Sequence, residues 1–296
     1  MKRTSRPKGL FLAVVAIAVA VSAACSAPGS SSSATTVKIG VANAQQGFWQ
    51  VFQRKAKDQG IDVQLVNFTD YNQPNPALSQ NQLQLNEFQH MQYLANYNVR
   101  NHDTLRPIGA TAVYPLPLYS RKHRSVAEVP AGGQIAIPND PTNQARALLV
   151  LQAAKLITLK GGGNALSTPN DIDTAASKVT VVPVDAAQTA ANLPSVDGAV
   201  TNNDYATPAG LGPNDTIFTD DPNSAASKPY INVFVARDQD KNNPTYLKLV
   251  QIYHDPEVEA AAKKDLGATT VFKNNDAADL QATTAALEDT IRKTVG

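Results

Sequence analysis

Residues 37–68 read VKIGVANAQQGFWQVFQRKAKDQGIDVQLVNF, and this stretch decides the fold. Its two ends, residues 37–41 and 63–68, are short runs rich in β-branched side chains, which predicts two β-strands. Between them, residues 48–59 place aromatic and aliphatic side chains on one side of an amphipathic helix. A strand, a helix and a second strand in this order predict a βαβ unit with parallel strands.

The same alternation continues downstream. Further strands are predicted at residues 108–113, 134–137, 179–182, 198–200 and 231–235, and helices at residues 143–154 and 244–253. Strands that alternate with helices are typical of parallel sheets covered by helices. We therefore expect an α/β fold.

Two extended segments predict that the chain forms two lobes. Residues 114–119, YPLPLY, contain two prolines that exclude a helix, and residues 228–234, KPYINVF, form a second extended segment. If these two segments connect the lobes, the chain passes from one lobe to the other twice, and one lobe is made of two separate parts of the sequence. We therefore predict lobe one from residues 37–114 plus 234–296. Lobe two is then formed by residues 115–233.

The N-terminus has the pattern of an export signal. Basic residues lie within residues 2–8, an apolar run follows over residues 10–24, and Cys25 is the only cysteine of the chain. This order predicts a signal peptide of residues 1–24, a lipidated Cys25 and a flexible serine-rich tether, the last two spanning residues 25–36. The protein would then be anchored by its lipid to a cell membrane on the extracytoplasmic face, at the cell surface or in the periplasm. The alternative is ordinary cleavage near Cys25 and release of a soluble protein.

Charge and motif content argue against several classes of function. The chain has 26 Lys and Arg against 25 Asp and Glu, and without the four basic residues of the signal peptide it has 22 against 25, a net charge of −3. No basic face is therefore predicted for nucleic acid. The histidines lack HExxH spacing and there is no GxSxG motif, so we predict no catalytic residues, no cofactor and no metal site.

Eight short blocks carry a resemblance to a known family. In chain order they are NFTDY (67–71), PNPAL (74–78), NEFQH (86–90), VYP (113–115), PNDPTN (138–143), RALL (146–149), NNDYA (202–206) and PYIN (229–232). They resemble the methionine-binding lipoproteins of the NlpA/MetQ type, the substrate-binding components of methionine ABC importers, over about residues 37–258. The resemblance implies a hinged two-lobe periplasmic-binding-protein-like fold of type II with a ligand cleft between the lobes. It also implies capture of L-methionine or a related amino acid, with an ABC permease and its ATPase as membrane partners.

Arg146 is the candidate for the carboxylate of such a ligand. A carboxylate is bound well by a guanidinium, which can donate two parallel hydrogen bonds. Arg146 lies in the first turns of a predicted helix after the block PNDPTN, whose side chains can supply the N-cap, so the helix dipole adds to its attraction for an anion. The alternative is an exposed arginine in a surface ion pair.

Asparagines are the candidates for the polar end of the ligand. Asn202 follows one predicted strand and Asn232 lies in another, and amide oxygens can accept hydrogen bonds from an ammonium. In the resembled family, the asparagines at these two positions hold the polar end of the ligand, and we include Asn143 of the PNDPTN block with them. The alternative for Asn202 and Asn232 is that each caps a turn or a strand end through its own backbone.

The resemblance also implies an aromatic wall around the ligand side chain. The matching residues are Phe68, Tyr71, Phe88, His90 and Tyr93. A thioether sulfur gains about 0.3–1.5 kcal/mol per contact with ring edges, so such a wall favours methionine. The alternatives are that Phe88 and Tyr93 belong to the core and that His90 is a hydrogen-bonded structural histidine.

The segment after the first strand departs from the family. Residues 43–49, NAQQGFW, stand where the family has a small glycine-containing turn with an acid, and Trp49 either adds an aromatic surface to the cleft or packs at a helix start.

The second candidate function is a surface interaction or adhesin-like lipoprotein that keeps the binding-protein fold. A binding protein requires Arg146, Asn202 and Asn232 to converge on one cavity between the lobes, whereas an adhesin does not.

Overall fold

The computed structural model describes residues 35–267 and 269–295. The predicted signal peptide, Cys25 and residues 26–34 of the tether lie outside the described residues. The last two residues of the predicted tether belong to a strand, because regular backbone pairing already begins at Thr35. Among the described helices, none combines the length and the apolar character needed to cross a membrane.

The described strands and helices follow one another along the chain in an α/β order. The strands are β1 Thr35–Val41, β2 Ile61–Asn67, β3 Leu85–His90, β4 Arg106–Ala110, β5 Ala112–Val113, β6 Leu118–Tyr119, β7 Gln134–Pro138, β8 Thr180–Val184, β9 Gly198–Val200, β10 Thr216–Phe218, β11 Asn232–Ala236 and β12 Val271–Phe272. The helices are α1 Phe48–Lys57, α2 Pro74–Ser79, α3 Met91–Asn101, α4 Pro141–Ala153, α5 Thr189–Asn192, α6 Asn203–Ala206, α7 Pro244–Tyr253, α8 Pro256–Leu266 and α9 Ala277–Val295.

The first sheet has the strand order β2-β1-β3-β11-β4. Strand β1 pairs in parallel with β2 and with β3, which confirms the predicted βαβ unit. Strand β11 is antiparallel to both β3 and β4. The chain therefore leaves this sheet after β4 and returns to it with β11. Helix α9 packs against α3 and β4 of the same sheet.

The second sheet has the order β10-β6-β9-β7-β8, and its strands all lie between β4 and β11 in the sequence. Strands β8 and β9 lie parallel to β7, one on each side, while β6 is antiparallel to its neighbours β9 and β10. Helix α4 leaves the carboxyl end of β7, and Asn202 follows the carboxyl end of β9. Parallel strands present their following residues at one edge of a sheet, so both segments reach the same side.

Each sheet has a hydrophobic core of its own. Below the first sheet, Trp49 and Phe52 of α1 pack with Phe234 and Tyr253 in an aromatic cluster whose ring centroids lie 5.4–6.3 Å apart. Trp49 therefore packs in the core rather than lining the cleft. The second sheet has a separate aliphatic core, formed around β7 and α4. Two sheets with separate cores form the two-lobe α/β architecture.

Strand β3 is one of the elements that periodicity does not predict. Its sequence, LNEFQH, is buried on both faces, so its polar side chains show no alternation with solvent. Three amides satisfy one another there: Gln89 Nε2 donates to Asn86 Oδ1 at 2.9 Å, and Asn75 Nδ2 donates to Gln89 Oε1 at 2.8 Å. Hydrogen bonding between side chains replaces the apolar burial that usually identifies a central strand.

Two predicted extended segments are shorter than expected. The predicted strand 108–113 breaks after Ala110, and β5 pairs separately with β12. In the second connection, residues Ala225–Tyr230 form a 3-10 helix, so the prediction of an extended chain from residue 228 was wrong. Pro229 is tolerated because a 3-10 turn needs few backbone donors, and Ile231 N closes it on Lys228 O at 3.3 Å.

Candidate ligand-binding site

A buried cavity lies where the edges of the two sheets meet. The space within it that is not filled by atoms amounts to about 410 Å³, part of it open to solvent. The first sheet and its helices contribute Tyr71, Phe88, Gln89, His90, Tyr93 and Asn232; the second contributes Asn143, Arg146, Asn202, Asn203 and Asp204; the connecting segment contributes Tyr114, Pro115 and Leu116.

Eight of the nine residues predicted to bind a ligand line this one cavity. Arg146, Asn202 and Asn232 are among them, as a binding protein requires. Phe68 is not: it is half-buried and packs against an apolar cluster that contains Leu83, away from the cavity lining. The contact of the eight lining residues with a ligand stays a prediction.

Arg146 is buried in the second turn of α4, with only 4% of its surface exposed. Its Nε and Nη2 donate to Asp220 Oδ2 at 3.0 and 2.7 Å, and Nη2 also donates to the backbone oxygen of Tyr114 at 2.8 Å. The guanidinium stacks over the Tyr230 ring at 4.4 Å from its centroid. The alternative of an exposed surface arginine was therefore wrong. Asp220 and Tyr114 fix the direction in which the guanidinium points.

The start of α4 is capped as the sequence predicts. Asp140 is the N-cap residue, and its Oδ1 accepts from Asn143 N at 3.0 Å. Asn143 Nδ2 donates to the same carboxylate at 3.0 Å, which leaves Asn143 Oδ1 pointing to other partners. One of them is Asn202 Nδ2 at 3.0 Å. The cap thus positions two of the candidate asparagines.

His90 joins this network as a neutral donor. Its Nδ1 accepts from Tyr93 N at 3.1 Å, so the ring proton is on Nε2, which lies 3.3 Å from Asn143 Oδ1. Burial, with a smaller effect of the Arg146 charge, lowers the pKa of His90 to about 3. His90 therefore caps α3 and also lines the cavity, and it stays uncharged at neutral pH.

Asn202 presents an acceptor that nothing satisfies. Its Oδ1 is buried and has no hydrogen-bond partner among the described residues. A buried acceptor without a donor costs about 1–3 kcal/mol, so a donor from a bound molecule would be favoured at this point. Asn232 lies in the same cavity, and within the described part of the chain its side chain makes a single hydrogen bond, a long one from Nδ2 to Tyr230 O at 3.4 Å.

Three aromatic rings form one wall of the cavity. The centroid distances are 5.8 Å from Tyr71 to Phe88, 5.7 Å from Phe88 to Tyr93 and 6.3 Å from Tyr71 to Tyr93. Tyr93 Oη donates to the backbone oxygen of Tyr71 at 3.0 Å, which holds the wall together. The tilted and edge-on rings suit an apolar, polarizable side chain.

Asp204 is a lining residue that sequence reasoning missed. Its Oδ2 accepts from Tyr71 Oη at 2.9 Å and its Oδ1 from Asn43 Nδ2 at 2.8 Å. Asn43 Oδ1 in turn accepts from Trp49 Nε1 at 2.7 Å. Burial raises the pKa of Asp204 to about 6, against the opposing effect of the two hydrogen bonds. The one signal available in the sequence was its position two residues after Asn202, in the block NNDYA.

Glu87 is a second buried acid, in β3 next to Phe88 in sequence. It is 4% exposed, and its Oε1 accepts from Thr111 Oγ1 at 2.8 Å. Burial raises its pKa from 4.5 to about 8, so the carboxyl is mostly protonated at neutral pH. The unfolded chain ionises Glu87 near pH 4.5 and the folded protein near pH 8. Its contribution to stability is therefore complete below pH 4.5 and is lost as the pH rises to 8.

We expect Glu87→Gln to flatten the dependence of stability on pH. Between pH 5.5 and 7.5 the wild-type free energy of unfolding should fall by about 2.5 kcal/mol more than that of the variant, at close to 1.4 kcal/mol per pH unit for one proton. Urea unfolding at both pH values measures this difference. The exposed Glu128→Gln is the matched control and should behave as wild type. Equal slopes in wild type and Glu87→Gln would show that Glu87 ionises normally.

Within residues 35–267 and 269–295, no group of His, Cys, Asp and Glu side chains is arranged to hold a metal ion. The polar groups of the cavity are a guanidinium, amides, a neutral imidazole and a carboxylate. They suit a small organic molecule that has both an anionic and a hydrogen-donating group, with an apolar part against the aromatic wall.

Known proteins share this sequence and architecture. The sequence profile of the family described as NlpA lipoprotein matches residues 37–274. The D-methionine-binding lipoprotein MetQ of Escherichia coli (strain K12) is 40% identical over 233 residues, which are 77% of this chain and 84% of that protein.

Solved structures agree in fold as well. Protein PG110 from Staphylococcus aureus superposes with a TM-score of 0.81 at 39% identity, covering 85% of this chain and 99% of its own. A nutrient binding protein from Burkholderia cenocepacia bound to methionine superposes with a TM-score of 0.73 at 38% identity, covering 80% of this chain and 99% of its own. The two-lobe binding-protein fold is thereby confirmed, and the chain belongs to the NlpA lipoprotein family.

Proposed function

We propose that this protein is an extracytoplasmic solute-binding lipoprotein that captures L-methionine, or a related amino acid, and delivers it to an ABC importer. The observation that carries the proposal is the convergence of a buried arginine, three asparagines and an aromatic wall on one cavity. The relative named D-methionine-binding lipoprotein and the neighbour bound to methionine support the choice of ligand.

In the proposed complex, Arg146 binds the carboxylate of the ligand. Asp220 accepts from its Nε and Nη2, and the Tyr114 backbone oxygen accepts from Nη2. Nη1 has no acceptor among the described residues. These contacts use the Nε hydrogen and both Nη2 hydrogens, so the two hydrogens of Nη1 remain for the ligand carboxylate. The buried position makes this contact stronger than the same contact in water.

The other two parts of the ligand follow from the remaining lining. Asn202 Oδ1 lacks a donor and would accept from the ammonium, with Asn232 beside it. The thioether would lie on the wall of Tyr71, Phe88 and Tyr93, where sulfur at ring edges gains about 0.3–1.5 kcal/mol per contact. Each of the three parts of methionine then has a matching surface.

The proposed mechanism is closure without chemistry. Arg146 and Asn202 belong to the second sheet, whereas the aromatic wall belongs to the first, so a ligand that contacts both favours the closed arrangement of the lobes. Closure would signal occupancy to a permease, whose ATPase supplies the energy for transport. We keep the predicted lobe boundaries at residues 37–114 plus 234–296 and 115–233 as part of this proposal, except that residues 232 and 233 go to the first lobe because β11 begins at Asn232.

The anchor makes a separate prediction. We expect wild-type protein to incorporate an alkyne-labelled fatty acid and to sediment with membranes, whereas Cys25→Ser should do neither, because the diacylglyceryl thioether needs the cysteine sulfur. Gel fluorescence after click labelling and fractionation measures both. A wild-type protein that is cleaved near residue 25 but carries no label would establish a released soluble protein instead.

Native mass spectrometry of the protein without its signal peptide tests the proposed function. Gently purified protein should retain one molecule with the mass of methionine, and unfolding followed by refolding should remove it. Protein that carries no small molecule as purified, and gains none when L-methionine is added after refolding, would contradict the proposal. That result would favour a protein that uses its exterior to contact a partner.

A further inference from the structure

Asp204 carries a charge that the cavity does not balance. It lines the cavity and is 7% exposed. Among the described residues, no lysine, arginine or histidine forms a salt bridge with it, while Arg146 has Asp220. Buried carboxylates are normally paired, because an isolated buried charge is costly. A cationic partner from outside the chain would remove this cost.

Neutral donors hold the Asp204 carboxylate in place, and the two closest of them come from the first lobe. Tyr71 Oη donates to Oδ2 at 2.9 Å and Asn43 Nδ2 donates to Oδ1 at 2.8 Å, while Asn203 Nδ2 makes a longer contact with Oδ1 at 3.4 Å. Trp49 Nε1 fixes the Asn43 amide at 2.7 Å. A carboxylate has about four acceptor sites, so these contacts leave room for another donor.

A second acceptor lies two residues away. Asn202 Oδ1 is buried and has no donor among the described residues. Asn202 and Asp204 both line the cavity at the start of α6, so this end of the cavity has more acceptors than donors. A primary ammonium has three hydrogens and a positive charge, and it matches both needs at once.

We propose that Asp204 is a specificity-determining residue that accepts a hydrogen bond from the charged amine of the ligand, and that it restricts this cavity to ligands with a free amine. This inference rests on the proposed capture of an amino acid. Arg146 and the aromatic wall bind other parts of the ligand, so discrimination between a free and an N-acylated amine falls to Asp204 and Asn202, of which only Asp204 carries a charge.

The competing role for Asp204 is purely structural. It joins the two lobes through Tyr71 and Asn43, so its removal could weaken closure around any ligand. The two roles differ in which ligands they affect. If Asp204 only holds the lobes together, its removal changes the affinity for all ligands by the same factor. If it accepts from the amine, its removal changes only the affinity for ligands with a free amine.

Calorimetric titration of the purified, ligand-free protein with L-methionine and with N-acetyl-L-methionine distinguishes these roles. Wild type should prefer L-methionine by at least about 100-fold, since discrimination against a missing charged hydrogen bond in a buried site is large. In Asp204→Asn this ratio should fall at least tenfold, through weaker binding of L-methionine. Asp204→Ser is the second variant, and a thermal melt of each establishes that it is folded.

Asn43→Ala is the comparison variant, since it removes one contact between the lobes and keeps the Asp204 carboxylate; its ratio should fall less than that of Asp204→Asn. An unchanged ratio in folded Asp204→Asn or Asp204→Ser would overturn the inference and leave the proposed function intact. Wild-type protein that binds neither compound would overturn the proposed function and this inference with it.

Discussion

Arg146→Met is expected to lower the affinity for L-methionine by at least about 100-fold. Removing one partner of a buried, hydrogen-bonded charge pair typically costs about 2–5 kcal/mol of binding free energy, and the ligand carboxylate would lose the one guanidinium that lines the cavity. Methionine keeps most of the arginine volume, so α4 should stay packed. Asp220, which is 26% exposed at its side chain, can be solvated when its partner is lost. Isothermal titration calorimetry measures the change.

Two further variants separate charge from geometry in this prediction. Arg146→Lys keeps the charge and loses the planar fork, and we expect a loss of affinity between those of wild type and Arg146→Met. Arg54→Met removes an exposed arginine that pairs with Glu257 outside the cavity, and it should bind as wild type does. A folded Arg146→Met protein with wild-type affinity would exclude Arg146 from carboxylate binding.

Trp49→Ala should reduce the free energy of unfolding by about 3–5 kcal/mol, the range for a large aromatic side chain removed from a core. Trp49 is fully buried, and its ring centroid lies 4.6 Å from that of Phe48 and 5.4 Å from that of Phe52. It also donates to Asn43, which positions Asp204. Urea unfolding of ligand-free protein measures the loss.

Trp49→Phe is the matched variant for this prediction. It keeps a buried ring and removes the indole N–H, so the stability loss should be much smaller, with about 1 kcal/mol from the hydrogen bond to Asn43. If Trp49→Ala unfolds at the wild-type urea concentration, Trp49 is not part of the core of the first lobe.

Local periodicity predicted part of the fold and missed other elements, among them the helices α3, α8 and α9. Strands β1 and β2 and helix α1 follow their sequence patterns closely, and so do β7, β9 and α7. Strand β3 does not, because both of its faces are buried and its polar side chains are satisfied by partners such as Asn75 and Thr111. A pattern of exposure cannot reveal a strand that has no exposed face.

Residues of the candidate site could be predicted where the type of side chain indicates what it can bind. Arg146, Asn202 and Asn232 were proposed from what they can bind together with the motif resemblance, and Asn143 and the aromatic wall came from the resemblance. Phe68 was assigned to the wall from its block alone, but its side chain packs with a different cluster. Asp204 was missed because its main partner, Asn43, lies 161 residues away in sequence and only folding brings the two together.

The central claim, that this cavity binds methionine, is tested most directly by calorimetry on refolded protein freed of bound ligand. We predict saturable one-to-one binding of L-methionine, much tighter than the binding of glutamine, whose polar amide would lie against the rings of Tyr71, Phe88 and Tyr93. Titration of D-methionine in the same series establishes which enantiomer the cavity prefers. A correctly refolded protein that releases no heat with any of the three amino acids, and shows no thermal stabilisation by them, would contradict the claim.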